Sequence, residues 1–200
     1  LALFLNSNNK QERYMDSIQP AYRAFASWSI EEVEKHAYQA AKKGDIESLS
    51  YCLAELSPRH RNIELTAWLN ISEFAQAQGL QPIDWLEKAA EATSRFTPQT
   101  TGKHNLYIIL LSRLHGKKPG YGLYVGETSK SPTARFREHV QGKRNRKGPL
   151  FSRIVHKHHQ CLLPTLYSHL NPLSKEEAKE FEAKIAEALR LEGIPVYGGH

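Results

Sequence analysis

The sequence predicts an α+β chain in two parts. An all-helical module spans residues 1–98, and a small three-stranded antiparallel sheet flanked by helices spans 103–200. Three observations predict this. Apolar residues recur at helical spacing between capping signals through the first part. Thr97 to Gly102 (Thr-Pro-Gln-Thr-Thr-Gly) then reads as a linker. After it come short β-rich runs, and the sign of the charge reverses. With 200 residues, 40% apolar and 10% aromatic, the chain can bury a core.

Ser29 with Glu32 forms a capping box that opens a helix carrying Val33, Ala37 and Ala40, and Gly44 stops it. Asp45 starts the next helix, with Ile46, Leu49, Leu53 and Leu56 on one stripe. Ser57-Pro58 caps a longer helix through Ile63, Ala67, Ile71 and Phe74 that ends near Gly79, and Arg59-His60-Arg61 decorates its start. Pro82 opens a last helix with Trp85, Leu86 and Ala89. Trp28, Trp68 and Trp85 are expected as core anchors of this bundle.

In the second part, Leu106–Ser112 and Gly122–Thr128 read as strands of an antiparallel hairpin with a long Gly/Pro-rich turn. Ser131-Pro132 caps a helix to about Gln141, with Gly142 at its end. A flexible basic loop over 143–147 leads to a helix around Leu150–His159, and Cys161–Ser168 reads as the third strand. Asn171-Pro172, with Ser174 and Glu177 as a capping box, opens a long helix to about Glu192.

The formal charge of +6 conceals a split: residues 1–100 sum to −3 and residues 101–200 to +9. Residues 103–157 hold 13 Lys and Arg against Glu127 and Glu138 alone. A one-sided cationic surface draws polyanions, because each Lys or Arg set on a phosphate releases condensed counterions. The second half contains no aspartate, which excludes an Asp-built two-metal centre there. Cys52 and Cys161, far apart, form neither a disulfide framework nor a four-cysteine zinc site, so a reducing, cytoplasmic setting is expected. Apolar runs are too short to cross a bilayer, and Leu1–Leu5 lacks the charged leader and length of a signal peptide.

Four segments stand in order: Asn105-Leu106-Tyr107-Ile108-Ile109, Leu123-Tyr124-Val125-Gly126, Arg135-Phe136-Arg137-Glu138-His139 and Phe181-Glu182-Ala183-Lys184-Ile185. Together they resemble the successive motifs of the GIY-YIG endonuclease family over roughly residues 104–198, leaving the helical half unexplained. The residue types suit phosphodiester hydrolysis, which needs an activated water, neutralised phosphorane charge and help for the leaving oxygen. Arg135 and His139 lie four apart on one helix and share a face. A guanidinium forks onto phosphate oxygens, and an imidazole relays protons near neutral pH. Tyr107 and Tyr124 lie on adjacent strands, so their hydroxyls converge if both occupy one sheet face.

Helical geometry singles out one carboxylate. With Ile185 as reference, Ala178, Phe181 and Leu189 fall within about 40°, and Glu182 lies about 60° away at the rim of that apolar face. Glu176, Glu180 and Glu187 point to water. A rim carboxylate suits one Mg²⁺ that keeps several waters, with Mn²⁺ as a substitute.

The resemblance implies a divalent-metal-dependent endonuclease acting on DNA rather than RNA. It implies that Tyr107 activates the attacking water and passes its proton toward His139, while Tyr124 orients water or phosphate. Arg135 would stabilise the transition state, and Glu182 would hold the metal. Nucleic-acid contacts are expected from Lys117, Lys118, Lys130, Arg137, Lys143, Arg144, Arg146, Lys147 and Arg153, with Lys117 and Lys118 at the tip of the long turn. Asn-Leu-Tyr replaces the family's Gly-Ile-Tyr, the two tyrosines are 17 apart, and Val196-Tyr197-Gly198-Gly199 stands where the family has an asparagine. His156, His158, His159 and Cys161 lack zinc-finger spacing and are expected to meet phosphate or solvent. The helical module is expected to carry oligomerisation or a protein partner. Two other function classes stay open: a catalytically inactive nucleic-acid-binding protein with the same fold, and a protein-interaction adaptor.

Overall fold

The computed structural model describes residues 25, 27–57, 66–112, 114 and 120–199, which divide into two compact units at Pro82/Ile83. In the first unit, Ser29 and Glu32 form the reciprocal capping box that opens α1 (Ile30–Lys43), and Gly44 closes it in the left-handed region. Asp45 accepts from Ser48 N–H and caps α2 (Ile46–Glu55). The third helix, α3 (Thr66–Ala77), packs on both. Its proposed start at Ser57-Pro58, with Arg59-His60-Arg61 and Ile63, falls largely outside the described residues. Val33, Ala37, Leu49, Cys52, Ile71 and Ala75 make the interior. Small alanines let the helix axes approach without voids. Burial pushes the Cys52 thiol up to about 12, so it acts as a neutral packing group.

The tryptophans correct the sequence expectation. Trp28 is 36% exposed, and Trp68 and Trp85 are only half-buried. Trp28 packs edge-on against His36 and beside Phe25 at the surface. The buried interior of the first unit is filled instead by smaller side chains such as Val33, Ala37, Leu49, Cys52, Ile71 and Ala75.

The helix carrying Leu86 and Ala89, α4 (Leu86–Ser94), belongs to the second unit rather than to the helical module. It packs on the long terminal helix, and Phe96 meets Phe181 edge to face at 5.5 Å. Its apolar stripe was legible; the partner of that stripe was not.

The second unit is built on β1 (Asn105–Leu111), buried from Leu106 onward. It pairs antiparallel with β2 (Gly122–Thr128) and, on its other edge, with β5 (His159–Leu162). A fourth strand, β6 (Val196–Gly198), lies parallel to β2, so the sheet is mixed and ordered β5-β1-β2-β6. The expected three-stranded antiparallel sheet is therefore incomplete: three residues near the end of the chain were too few to register as a strand. The third strand also ends early, because Pro164 has no N–H to extend the ladder and starts a 3₁₀ turn. Beyond it, Asn171 substitutes for a strand partner, its side-chain amide accepting from Leu106 N–H at 2.8 Å and donating to Leu106 C=O at 2.9 Å.

Ser131 caps α5 (Pro132–Val140) by accepting from Ala134 N–H. The basic segment after it is a two-stranded hairpin, β3 (Arg144–Asn145) and β4 (Gly148–Pro149), rather than a loop. A short non-helical stretch at Leu150–Phe151 follows, and the next helix, α6 (Arg153–His158), starts later than expected. Both α5 and α6 contact β1 and β5. The long α7 (Lys175–Leu191) contacts β1 and β2 and buries Ala178, Phe181, Ile185 and Leu189. Ser174 caps it as expected. Glu177 does not complete the box: its carboxylate accepts from the N–H groups of Gln99 and Thr100 (2.7 and 2.9 Å) and from the Thr100 hydroxyl. The Thr97–Gly102 linker is thus fastened to the start of α7.

Candidate active site

Tyr107 on β1 pairs with Gly126 on β2, and Tyr124 pairs with Ile109. Side chains two apart share a face, so the two phenols are diagonal neighbours on one side of the sheet. Their rings stack with centroids 6.1 Å apart. Gly126 makes room for this. A Cβ there would lie 2.5 Å from both the Cζ and the hydroxyl of Tyr107. Tyr107 is 1% exposed and Tyr124 half-buried. Burial pushes the Tyr107 phenol well above its usual range, helped by Tyr124 and Glu182 and opposed by Arg135. Burial and Glu182 also raise Tyr124, and hydrogen bonding with Tyr107 and Ser152 offsets part of that rise.

His139 comes to these phenols from α5, fully buried. Its Nε2 lies 3.0 Å from Tyr107 Oη, and its ring is 5.7 Å from that of Tyr124. The Ser152 N–H donates to Nδ1 at 2.9 Å. Nδ1 is therefore an acceptor, and the neutral ring carries its proton on Nε2, directed at Tyr107. Burial holds His139 down to about 4, with Arg135 adding to the effect and Glu138 opposing it. A neutral ring protonated at Nε2 has no lone pair there for a phenol proton. The expected transfer from Tyr107 to His139 is thus corrected: His139 donates to the Tyr107 oxygen.

Arg135, one turn earlier on α5, is half-buried and acts directly on the Tyr107 phenol. Burial opposes its charge, but Tyr107 and Glu138 outweigh that and hold the guanidinium firmly protonated. Its Nη1 donates to Leu150 C=O at 2.6 Å and reaches Glu138 at 3.4 Å. Glu138, only 6% exposed, also takes Lys130 at 2.5 Å and Lys143 at 3.1 Å. Hydrogen bonds from these lysines, chiefly Lys130, hold its carboxyl down to about 2 against the opposing effect of burial. Three cations around one carboxylate leave a positive excess beside the phenols.

Glu182 sits half-buried at the edge of the buried face of α7, and its charge raises both phenols. Beside it the chain end runs close: a Cβ on Gly199 would meet Ala186 Cβ at 2.3 Å and Glu182 C=O at 3.3 Å. Arg190 Nη2 clips this segment by donating to Gly198 C=O at 2.8 Å. Two glycines with positive φ pass where the family resemblance led one to expect an asparagine side chain. Among the described residues no group of three or more His, Cys, Asp or Glu forms a metal-ligand set, leaving Glu182 as the carboxylate at the phenols.

The structure thus gathers Tyr107, Tyr124, Arg135, His139 and Glu182. Of the expected contact residues, Lys130 and Lys143 pair with Glu138, while Arg137, Arg144, Arg146, Lys147 and Arg153 are exposed. Lys117 and Lys118 lie outside the described residues. His156, His158 and His159 turn Nδ1 to backbone carbonyls, those of His139 and Val140, of Ser112, and of Val155 and His156 respectively. They serve as local caps instead of facing phosphate through that nitrogen. Sequence reasoning missed Glu138, Gly126 and the Leu150–Ser152 backbone. Glu138 had a signal, as one of two acids among thirteen cations in 103–157; a backbone donor has none. The chain matches no protein-family model, no curated protein and no solved structure.

Proposed function

We propose that the chain is a divalent-metal-dependent endonuclease of GIY-YIG type that hydrolyses DNA phosphodiester bonds. One observation carries this: His139 Nε2–H points at Tyr107 Oη on a sheet face shared with Tyr124, where both Arg135 and the charge of Glu182 act. A buried tyrosine hydroxyl needs a hydrogen-bond partner for stability; here a histidine donor and a guanidinium charge act on one phenol oxygen, which also suits it to carry negative charge. Those two donors favour the phenolate and offset part of the rise that burial imposes. As a phenolate, Tyr107 takes a proton from the attacking water, and that proton ends on its own Oη. Tyr124 orients the water. Arg135 leaves the Leu150 carbonyl and forks onto the non-bridging phosphate oxygens.

The donor set fits one Mg²⁺. That ion uses one or two protein carboxylates and completes its shell with water and substrate phosphate. Glu182 is the residue that would hold it, and the ion when bound would neutralise charge on the scissile phosphate and the leaving oxygen. Among the described residues no helix is long and apolar enough to cross a membrane, and a cytoplasmic setting belongs to the same proposal.

A non-catalytic DNA-binding role is the second reading, favoured by the near-complete burial of Tyr107. A metal titration separates the two. Single-stranded, duplex, flap and branched DNA are incubated with the protein in Mg²⁺, Mn²⁺ or EDTA. The endonuclease reading expects metal-dependent cleavage of at least one substrate. Salt-dependent binding without cleavage in either metal favours the second.

A further inference from the structure

Leu150, Phe151 and Ser152 connect the β3–β4 hairpin to α6, and they touch three of the five site side chains. The Leu150 carbonyl holds Arg135 at 2.6 Å, and the Ser152 N–H holds His139 at 2.9 Å. The Ser152 side chain bonds with Tyr124. The hairpin exposes Arg144, Arg146 and Lys147. Its base is tied to the site helix as well: Lys143 N–H donates to Glu138 C=O at 3.0 Å, and Leu150 N–H donates to Lys143 C=O at 2.8 Å. A cationic arm and the phosphate-binding arginine therefore share one short backbone segment. Arg135 Nη1, moreover, already donates to a backbone carbonyl, so a phosphate that takes this nitrogen must displace it.

We propose that the 143–150 hairpin senses the phosphodiester backbone, and that its docking draws the Leu150 carbonyl off Arg135 and releases the guanidinium to the scissile phosphate. This rests on the endonuclease reading above and adds a regulation of that site. The arm's three outward cations match a polyanion by charge, with counterion release as the driving force. A paired ribbon moves as a unit, so displacement at its tip reaches Leu150. In the undocked arm Arg135 stays on the carbonyl, and the site is idle.

The test uses the full chain with Arg144→Ala, Arg146→Ala and Lys147→Ala combined, and each substitution singly in case the triple variant does not fold. Binding to a fluorescent duplex of the best-cleaved type is measured in EDTA across salt. Single-turnover cleavage is then measured in Mg²⁺ with the protein saturating. The expected result is a shallower salt dependence and a saturated rate about tenfold or more below wild type. A control with Lys175→Ala and Lys179→Ala on α7 keeps the wild-type saturated rate. If saturation restores the arm variant to the wild-type rate, the arm supplies affinity only; the coupling is wrong and the endonuclease reading stands. An equal loss in the control also overturns the coupling. A wild-type protein that cuts no substrate overturns both.

Discussion

The Ser152 N–H leaves the His139 ring one proton, on Nε2, and aims it at Tyr107. Burial, with Arg135 adding to it, disfavours a second proton on the ring and holds His139 down to about 4 from the ordinary 6.5. The unfolded chain binds this proton at higher pH than the fold does. Stability is therefore full above about 6.5 and falls as pH drops toward 4. Melting curves across that window should show the fall in the wild type and a flatter profile in His139→Gln. Glu138 acts further down: its contribution is present above 4.5 and is lost as pH falls toward 2. Activity should follow a different group. Tyr107 must lose a proton and its phenol is raised, so kcat/KM should climb about tenfold per pH unit through the neutral range. An acid-side inflection that disappears in a His139 variant would restore His139 as the proton acceptor. Gly126→Ala tests the geometry directly, since the added methyl would lie 2.5 Å from the Cζ and hydroxyl of Tyr107. Expected is a loss of about 1–3 kcal/mol in stability together with a larger fall in cleavage, read by denaturant melts and initial rates.

Elements were legible where local chemistry decides them. The Ser29/Glu32 box, the Asp45 cap, the Ser131-Pro132 start and the paired β1 and β2 runs all carry their signals in adjacent residues. Elements decided by distant partners were not. Nothing near Glu177 in sequence announces that Gln99 and Thr100, 78 and 77 residues earlier, take its carboxylate away from the capping box. Nor do Val196–Gly198 announce a parallel partner in β2. The same division runs through the site. Tyr107, Tyr124, Arg135, His139 and Glu182 are singled out by the motif resemblance, with helical geometry adding support for Glu182, whereas the direction of the His139 proton depends on a main-chain group thirteen residues away. Glu177→Ala should release the tether. Amide exchange at Gln99 and Thr100 should quicken while β1 amides stay protected; unchanged exchange at those two positions would show that the linker is held by other contacts.

At the scale of the whole molecule, a mildly acidic helical unit is carried in one chain with a basic unit that holds the candidate site. Within the second unit cations collect around Glu138, the neighbour of His139, and along the hairpin that leads to Leu150. That juxtaposition makes the nucleic-acid proposal specific: binding should weaken steeply with salt, while cleavage should depend on two residues that a merely adhesive surface would not need. The decisive measurement is single-turnover cleavage of the preferred DNA in Mg²⁺ by wild type, Arg135→Ala and Glu182→Ala, each with its melting temperature. Both variants should melt close to wild type and lose about 100-fold or more in rate. Cleavage by either at the wild-type rate would contradict the proposed site.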